Sequence, residues 1–167
     1  MFALDPDLVE RTRLAWGDKL RPVPPHAPHP VLPPALREFV ESVGLPTDNC
    51  WDAQFHDLPP QPPLHIRDRD FAVLGFDHGV PIAIDIAEGS VWMIQSGTHR
   101  LINSSLLLFL HALGRLGQLY RDLRGSRPEV YRIGIEDLRA ELSELDPPSL
   151  GPGPTAWQDY FDEMVSE

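Results

Sequence analysis

The sequence predicts an α+β fold: a single antiparallel β-meander of about four to six strands with helices packed on one face. Two observations carry that prediction. Between Asp70 and Ser105 short segments rich in valine, isoleucine and phenylalanine alternate with glycine turns, reading FAVLGFDHG, VPIAIDIAEG, SVWMIQSG and THRLINSS in succession. The chain then passes straight into LLLFLHALGRLGQLY, whose leucines form a wide apolar face at helical spacing. Asp77-His78-Gly79, Glu88-Gly89 and Ser96-Gly97 are turns too short to join anything but antiparallel neighbours.

The elements follow in order. Asp5 is placed to cap a first helix with Pro6 at its first position and Gly17 as its stop, and Leu8, Thr12, Ala15 and Trp16 share one face. From Lys19 to Pro34 the chain is dense in proline, which predicts an extended strap without secondary structure of its own. A second helix, ALREFVESVG, sets Leu36, Phe39, Val40 and Val43 on one stripe and stops at Gly44. Leu45 to Leu64 is again broken by prolines; Trp51, Phe55 and Leu58 are expected to pin it as an irregular arm across the sheet, with one short strand.

The strands are predicted at Phe71–Leu74, Pro81–Ile86, Val91–Ile94 and Leu101–Ile102. Asn103, Ser104 and Ser105 then cap a helix running to Arg124 and ended by Gly125. IGIEDLRAELSELDPP reads as another amphipathic helix, with Ile135, Leu138, Leu142 and Leu145 on its apolar side. Thr155 caps a last helix anchored by Trp157, Tyr160, Phe161 and Met164. One domain spans 1–167, with the first helix and strap over 1–31 and the core over 32–167.

Composition narrows the function classes. Fourteen basic residues against 25 acidic give a net charge of -11, which argues against nucleic-acid binding, since affinity for a phosphate backbone comes largely from counterion release by Lys and Arg. A basic partner protein suits that charge. The longest apolar run, Leu106–Leu110, falls far short of the roughly 18 residues of a membrane span. The acidic start MFALDPD is unlike a secretory signal, and the single cysteine, Cys50, has no disulfide partner. The expected compartment is the cytoplasm.

Rival chemistry finds little footing. His56, Asp57, His65, Asp68, Asp70, Asp77, His78 and Asp85 are frequent but lack metal-ligand spacing, and His26 and His29 supply only two ligands in the strap. Ser104 and Ser105 serve as caps with no nucleophile elbow around them, and Gly75, Gly79, Gly89 and Gly97 punctuate hairpins instead of opening a helix around a phosphate. No catalytic residue, metal or cofactor is assigned.

Three stretches in order resemble the SUKH superfamily of bacterial immunity proteins, and within it the fourth immunity subfamily. They are LPPALREFVESVGLP, then VLGFDHGVPIAIDIAEGSVWMI, then RLINSSLLLFLHAL continuing to ELDPPSL and TAWQDYFDEM, together spanning Leu32 to Met164. The resemblance implies a non-enzymatic protein that binds and neutralises a toxin, often a nuclease or a nucleic-acid deaminase. A small-molecule-binding or hydrolytic domain around His78 and Asp85 is the alternative, as is a regulatory scaffold of the same superfamily.

For the contact itself the expected residues are Asp77, His78, Asp85, Glu88 and Trp92. The first four sit at turns and a strand end, where they would gather along one sheet edge and present negative charge to a basic toxin. Trp92 is the aromatic candidate. Alternation sets it with Ile94, opposite Val91 and Met93; both faces are apolar, and the core side is favoured for it.

Overall fold

In the computed structural model, residues 5–24, 32–47, 53–55, 62–95, 98–153 and 155–166 are described. Helix α1 (Pro6–Trp16) begins where expected, the Asp5 carboxylate accepting from the Asp7 and Leu8 amides at 3.0 and 3.4 Å. Its buried stripe is Leu8, Thr12, Ala15 and Trp16. That stripe lies on α3 (Leu106–Asp122), where Trp16 Nε1 donates to the Leu110 carbonyl at 2.7 Å. Gly114 makes the approach possible, since a Cβ there would stand 2.7 Å from the indole nitrogen.

The strap departs from expectation at its start. Leu20–Arg21 forms a two-residue strand, β1, paired antiparallel with β2 (Leu45–Pro46). Both residues precede Pro22, the first proline of the strap, so their amides remain able to pair. Between them, α2 (Pro34–Ser42) buries Leu36, Phe39 and Val40, and Gly44, at φ 102°, turns the chain where a side chain would collide with the Arg21 carbonyl. The readings of His26, His29, Cys50, Trp51, His56, Asp57, Leu58, Ser96 and Gly97 fall outside the described residues.

The arm also holds more strand than expected. β3 (Ala53–Gln54) and β4 (Leu64–Ile66) both pair antiparallel with β5 (Arg69–Asp77). From β5 the chain continues as the meander, through β6 (Val80–Asp85), β7 (Val91–Gln95) and β8 (Thr98–Asn103), each antiparallel to the one before. His78 and Gly79, at φ 46° and 83°, form the turn between paired Asp77 and Val80, a left-handed pair that matches the twist of the flanking strands. β5 and β8 start before the apolar runs that mark them, because pairing with β4 and β7 carries the ladder out to Arg69 and Thr98.

One buried cluster joins the sheet to its helices: Ala72, Leu74, Ile82, Ile84, Val91 and Ile102 from the strands, with Phe109, Leu110 and Leu113 of α3. α4 (Pro128–Leu145) adds Ile135, Leu138 and Leu142, and α5 (Ala156–Ser166) adds Trp157 and Phe161. α4 starts at Pro128, ahead of the expected Ile133. Proline suits the first helical position, but Val130 and Ile133 are exposed, so this turn leaves no apolar period to read.

The three segments of the third motif stretch meet in one hydrogen-bonded knot. Asn103, fully buried at the end of β8, donates through Nδ2 to Asp146 Oδ2 at 2.8 Å and accepts from Trp157 Nε1 at 2.9 Å. The Ser104 amide also reaches Asp146 Oδ2, at 3.0 Å. The Asn-Ser-Ser start of α3, the Leu-Asp-Pro elbow after α4 and the tryptophan of α5 are therefore a single interaction. A second, partly buried network ties α1, α3 and α4: His111 Nε2 lies 3.1 Å from Glu141 Oε1, its Nδ1 lies 3.3 Å from Thr12 Oγ1, and Arg115 Nε donates to Glu141 at 3.0 Å. The His111 hydrogen bond, together with Arg115, holds the Glu141 carboxyl at a pKa of about 2 against the opposing effect of burial.

Candidate partner-binding surface

Cross-strand register decides which residues share the face away from the helices. Phe71 stands opposite Asp85, Val73 opposite Ala83, Ala83 opposite Trp92 and Trp92 opposite Leu101. None of Phe71, Val73, Ala83 or Trp92 belongs to the helix-side cluster. Trp92 is thus on the outer face, not the core side that alternation favoured. It is half-buried, edge-on to Phe71 at 6.4 Å and to His99 at 5.1 Å, and its indole donates to Ser90 Oγ at 2.8 Å.

Arg69 completes this patch, its guanidinium carbon 5.6 Å from the Trp92 ring centre. The same guanidinium donates to Asp85 Oδ2 and to Glu88 Oε2, both at 3.1 Å. Asp85 is only 2% exposed, and its other oxygen accepts from the Ala87 and Glu88 amides at 2.8 and 3.0 Å. Its charge is met inside the fold, so what it gives the surface is placement: it shapes the turn that holds Glu88 and anchors the arginine beside Trp92. Glu88 itself is exposed.

Asp77 and His78 lie elsewhere. They occupy the opposite end of the β5–β6 hairpin from Asp85, five strand steps or about 17 Å away. The expected single acidic edge is therefore two separate places, Arg69–Asp85–Glu88–Trp92 at one end and Asp77–His78 at the other. His78 Nδ1 is 2.8 Å from Asp77 Oδ1, and both residues line a cleft of about 300 Å³ against α5. Met93, Arg100, Asp159, Tyr160 and Glu163 complete its walls with Ala156. Arg100 pairs with Asp159, while Tyr160 meets the Tyr120 hydroxyl and Tyr120 stacks on Tyr131 at 6.0 Å. Burial, with help from Tyr120, raises the Tyr131 phenol above its ordinary range and keeps it neutral.

A larger recess of about 470 Å³ lies among α1, α2 and the start of α3, lined chiefly by Leu8, Leu36, Phe39 and Leu106, with Asp5 and Glu38 as the ionisable groups among the described lining residues. Among the described residues, no group of three or more His, Cys, Asp and Glu side chains is placed to hold a metal ion. No helix among them is long and apolar enough to cross a membrane.

Sequence reasoning missed Arg69, His99, Arg100 and the polar side of α5. Arg69 and His99 were legible in principle, since each lies two residues beyond an identified strand position on the same face, Phe71 and Leu101. Asp159 and Glu163, at helical i, i+4 spacing, had no signal tying them to the hairpin turn, which only the tertiary fold supplies.

A family model described as SUKH-4 immunity protein matches residues 13–163. No curated protein and no solved structure gave a significant match. The match reaches further toward the N-terminus than the motif stretches do and takes in the second half of α1, the part that carries Ala15 and Trp16 onto α3.

Proposed function

Because the chain belongs to the SUKH-4 immunity protein family, we propose that it protects the cell that makes it by binding one cognate toxin directly and stoichiometrically, without chemical change to either protein. Family membership is the observation that carries this reading. The proposed toxin class is a nuclease or nucleic-acid deaminase. An enzyme that handles a phosphate backbone carries lysine and arginine around its site, and a chain of net charge -11 is the electrostatic complement of such a rim. Long-range attraction of that kind raises association rates toward about 10⁸ per molar per second, which matters for an inhibitor that must arrive before damage is done.

Within this reading the contact residues are Trp92, as the aromatic anchor, with Glu88 beside it, and Asp77 and His78 as a second, separate point of contact at the other end of the β5–β6 hairpin. Asp85 acts behind them through Arg69 and Glu88. Tryptophan and arginine are the residue types that most often dominate binding energy, and a half-buried indole held by a cation and two rings keeps little conformational entropy to lose on docking. A standard interface of about 1,600 Å² would cover this face.

The test is co-expression of this chain with the toxin domain encoded directly beside it in the cytoplasm of a sensitive host. Growth restored by this chain, and co-purification of the two as a complex, is the expected result. Cell death despite full soluble expression of this chain would refute the reading.

A further inference from the structure

We infer that the cleft between the β5–β6 turn and α5 is the receptor for a single basic side chain, arginine in first place, presented by the partner protein; the inference rests on the immunity reading for its biological partner, though not for its test. The cleft is concave, and its volume of about 300 Å³ sits at the lower bound for small-ligand pockets. That size accommodates one long side chain with the backbone that bears it.

Its chemistry is divided in the way such a side chain is divided. Met93, Ala156 and the Tyr160 ring provide an apolar floor for a methylene stem. Among the described lining residues, Asp77, Asp159 and Glu163 provide three carboxylates against one guanidinium, Arg100, and that guanidinium is already engaged with Asp159. The other two carboxylates, Asp77 and Glu163, come from two different elements, the β5–β6 hairpin and α5. His78 Nδ1, 2.8 Å from Asp77 Oδ1, holds that carboxylate at the turn. Arginine is favoured over lysine because its planar fork reaches two carboxylates at once and lies flat on a tyrosine ring.

Tyr160 is held for this task from below. Its hydroxyl meets Tyr120 of α3, which stacks on Tyr131 of α4, and its ring is edge-on to Trp157 and Phe161 at 5.9 and 5.7 Å. The floor is therefore preorganised by three helices, which lowers the ordering cost of binding.

The probe is the peptide acetyl-Gly-Arg-Gly-amide, titrated into isotopically labelled full chain and followed by amide chemical shifts, with the citrulline peptide, isosteric but uncharged, as control. The expected result is saturable shifts confined to Asp77, His78, Met93, Arg100 and the first two turns of α5. Glu163→Gln, at an exposed position, weakens that binding about 5- to 10-fold, as loss of a charge-assisted hydrogen bond predicts, and Asp77→Asn does the same. Shifts that fail to saturate, that scatter over the other acidic surfaces, or that persist unchanged in both variants would overturn the inference. Because no toxin enters the titration, a chain that protects cells but fails here loses the cleft alone, whereas a chain that binds the peptide but does not protect loses the immunity reading.

Discussion

Replacing Asn103 by alanine should destabilise this protein out of proportion to the few atoms removed. Asn103 is fully buried and makes two side-chain hydrogen bonds, one to the Asp146 carboxylate and one from the Trp157 indole. Loss of a bond to a charged group costs about 1.5–3 kcal/mol, and stranding a buried donor costs about 1–3 kcal/mol. Asp146 keeps the Ser104 amide, so the carboxylate is weakened and not abandoned. Together these give about 3–5 kcal/mol, or a fall in Tm on the order of 10 °C for a domain of this size.

Urea unfolding followed by tryptophan fluorescence measures it, and Trp157→Phe alone with the double variant Asn103→Ala/Trp157→Phe closes a cycle that isolates the shared bond. Additive effects in that cycle, or a cost below about 1 kcal/mol for Asn103→Ala, would refute the claim that the knot fastens sheet, elbow and last helix. Asn103→Asp sharpens the test. It sets a second carboxyl beside Asp146, so the folded state binds a proton more tightly than the unfolded chain, and stability should rise as pH falls from neutral toward the ordinary carboxylate value and level off below it.

Three further outcomes follow from the same geometry. Glu141, held at about 2 chiefly by the His111 hydrogen bond, contributes stability that is present above its ordinary value of 4.5 and lost as pH falls from there to about 2. Glu141→Gln should therefore cost about 2–3 kcal/mol at neutral pH and flatten the acid limb of a stability–pH curve; an unchanged limb would contradict it. Gly114→Ala should destabilise by about 1–3 kcal/mol despite the better helix propensity of alanine, because the new methyl meets the Trp16 indole at 2.7–2.8 Å. Thermal unfolding reads this, and a stabilised variant would contradict the packing of α1 on α3. Trp92→Ala should speed dissociation of the toxin complex by about 30-fold or more, while Glu88→Gln changes mainly the association rate and its salt dependence. Surface-immobilised kinetics separates the two effects.

How much of this was legible in the chain follows the physics of each signal. Capping chemistry located α1, α3 and α5 to within a residue or two at their starts, because Asp5, Ser105 and Thr155 each satisfy amides that nothing else reaches. Gly44 and the His78-Gly79 turn were readable because positive φ restricts the residues that serve there. Strand ends were less legible, since Arg69 and His99 are in the sheet through their neighbours' hydrogen bonds and are not residue types that favour strands.

The same limit governed the surface. Turn residues Asp77, His78 and Glu88 were found by composition, but alternation names faces without saying which one the helices cover, and so it placed Trp92 on the wrong side. A charge at a strand end looks alike whether solvated or buried against an arginine. Only Arg69 reveals that Asp85 is the second case.

The most direct test of the account is a titration of the purified toxin with this chain, reading residual toxin activity and the masses of both proteins afterwards. Inhibition that is complete at one equivalent, with neither mass altered, is what direct binding predicts. Inactivation of many toxin molecules by one copy of this chain, or a covalent change in the toxin, would contradict it.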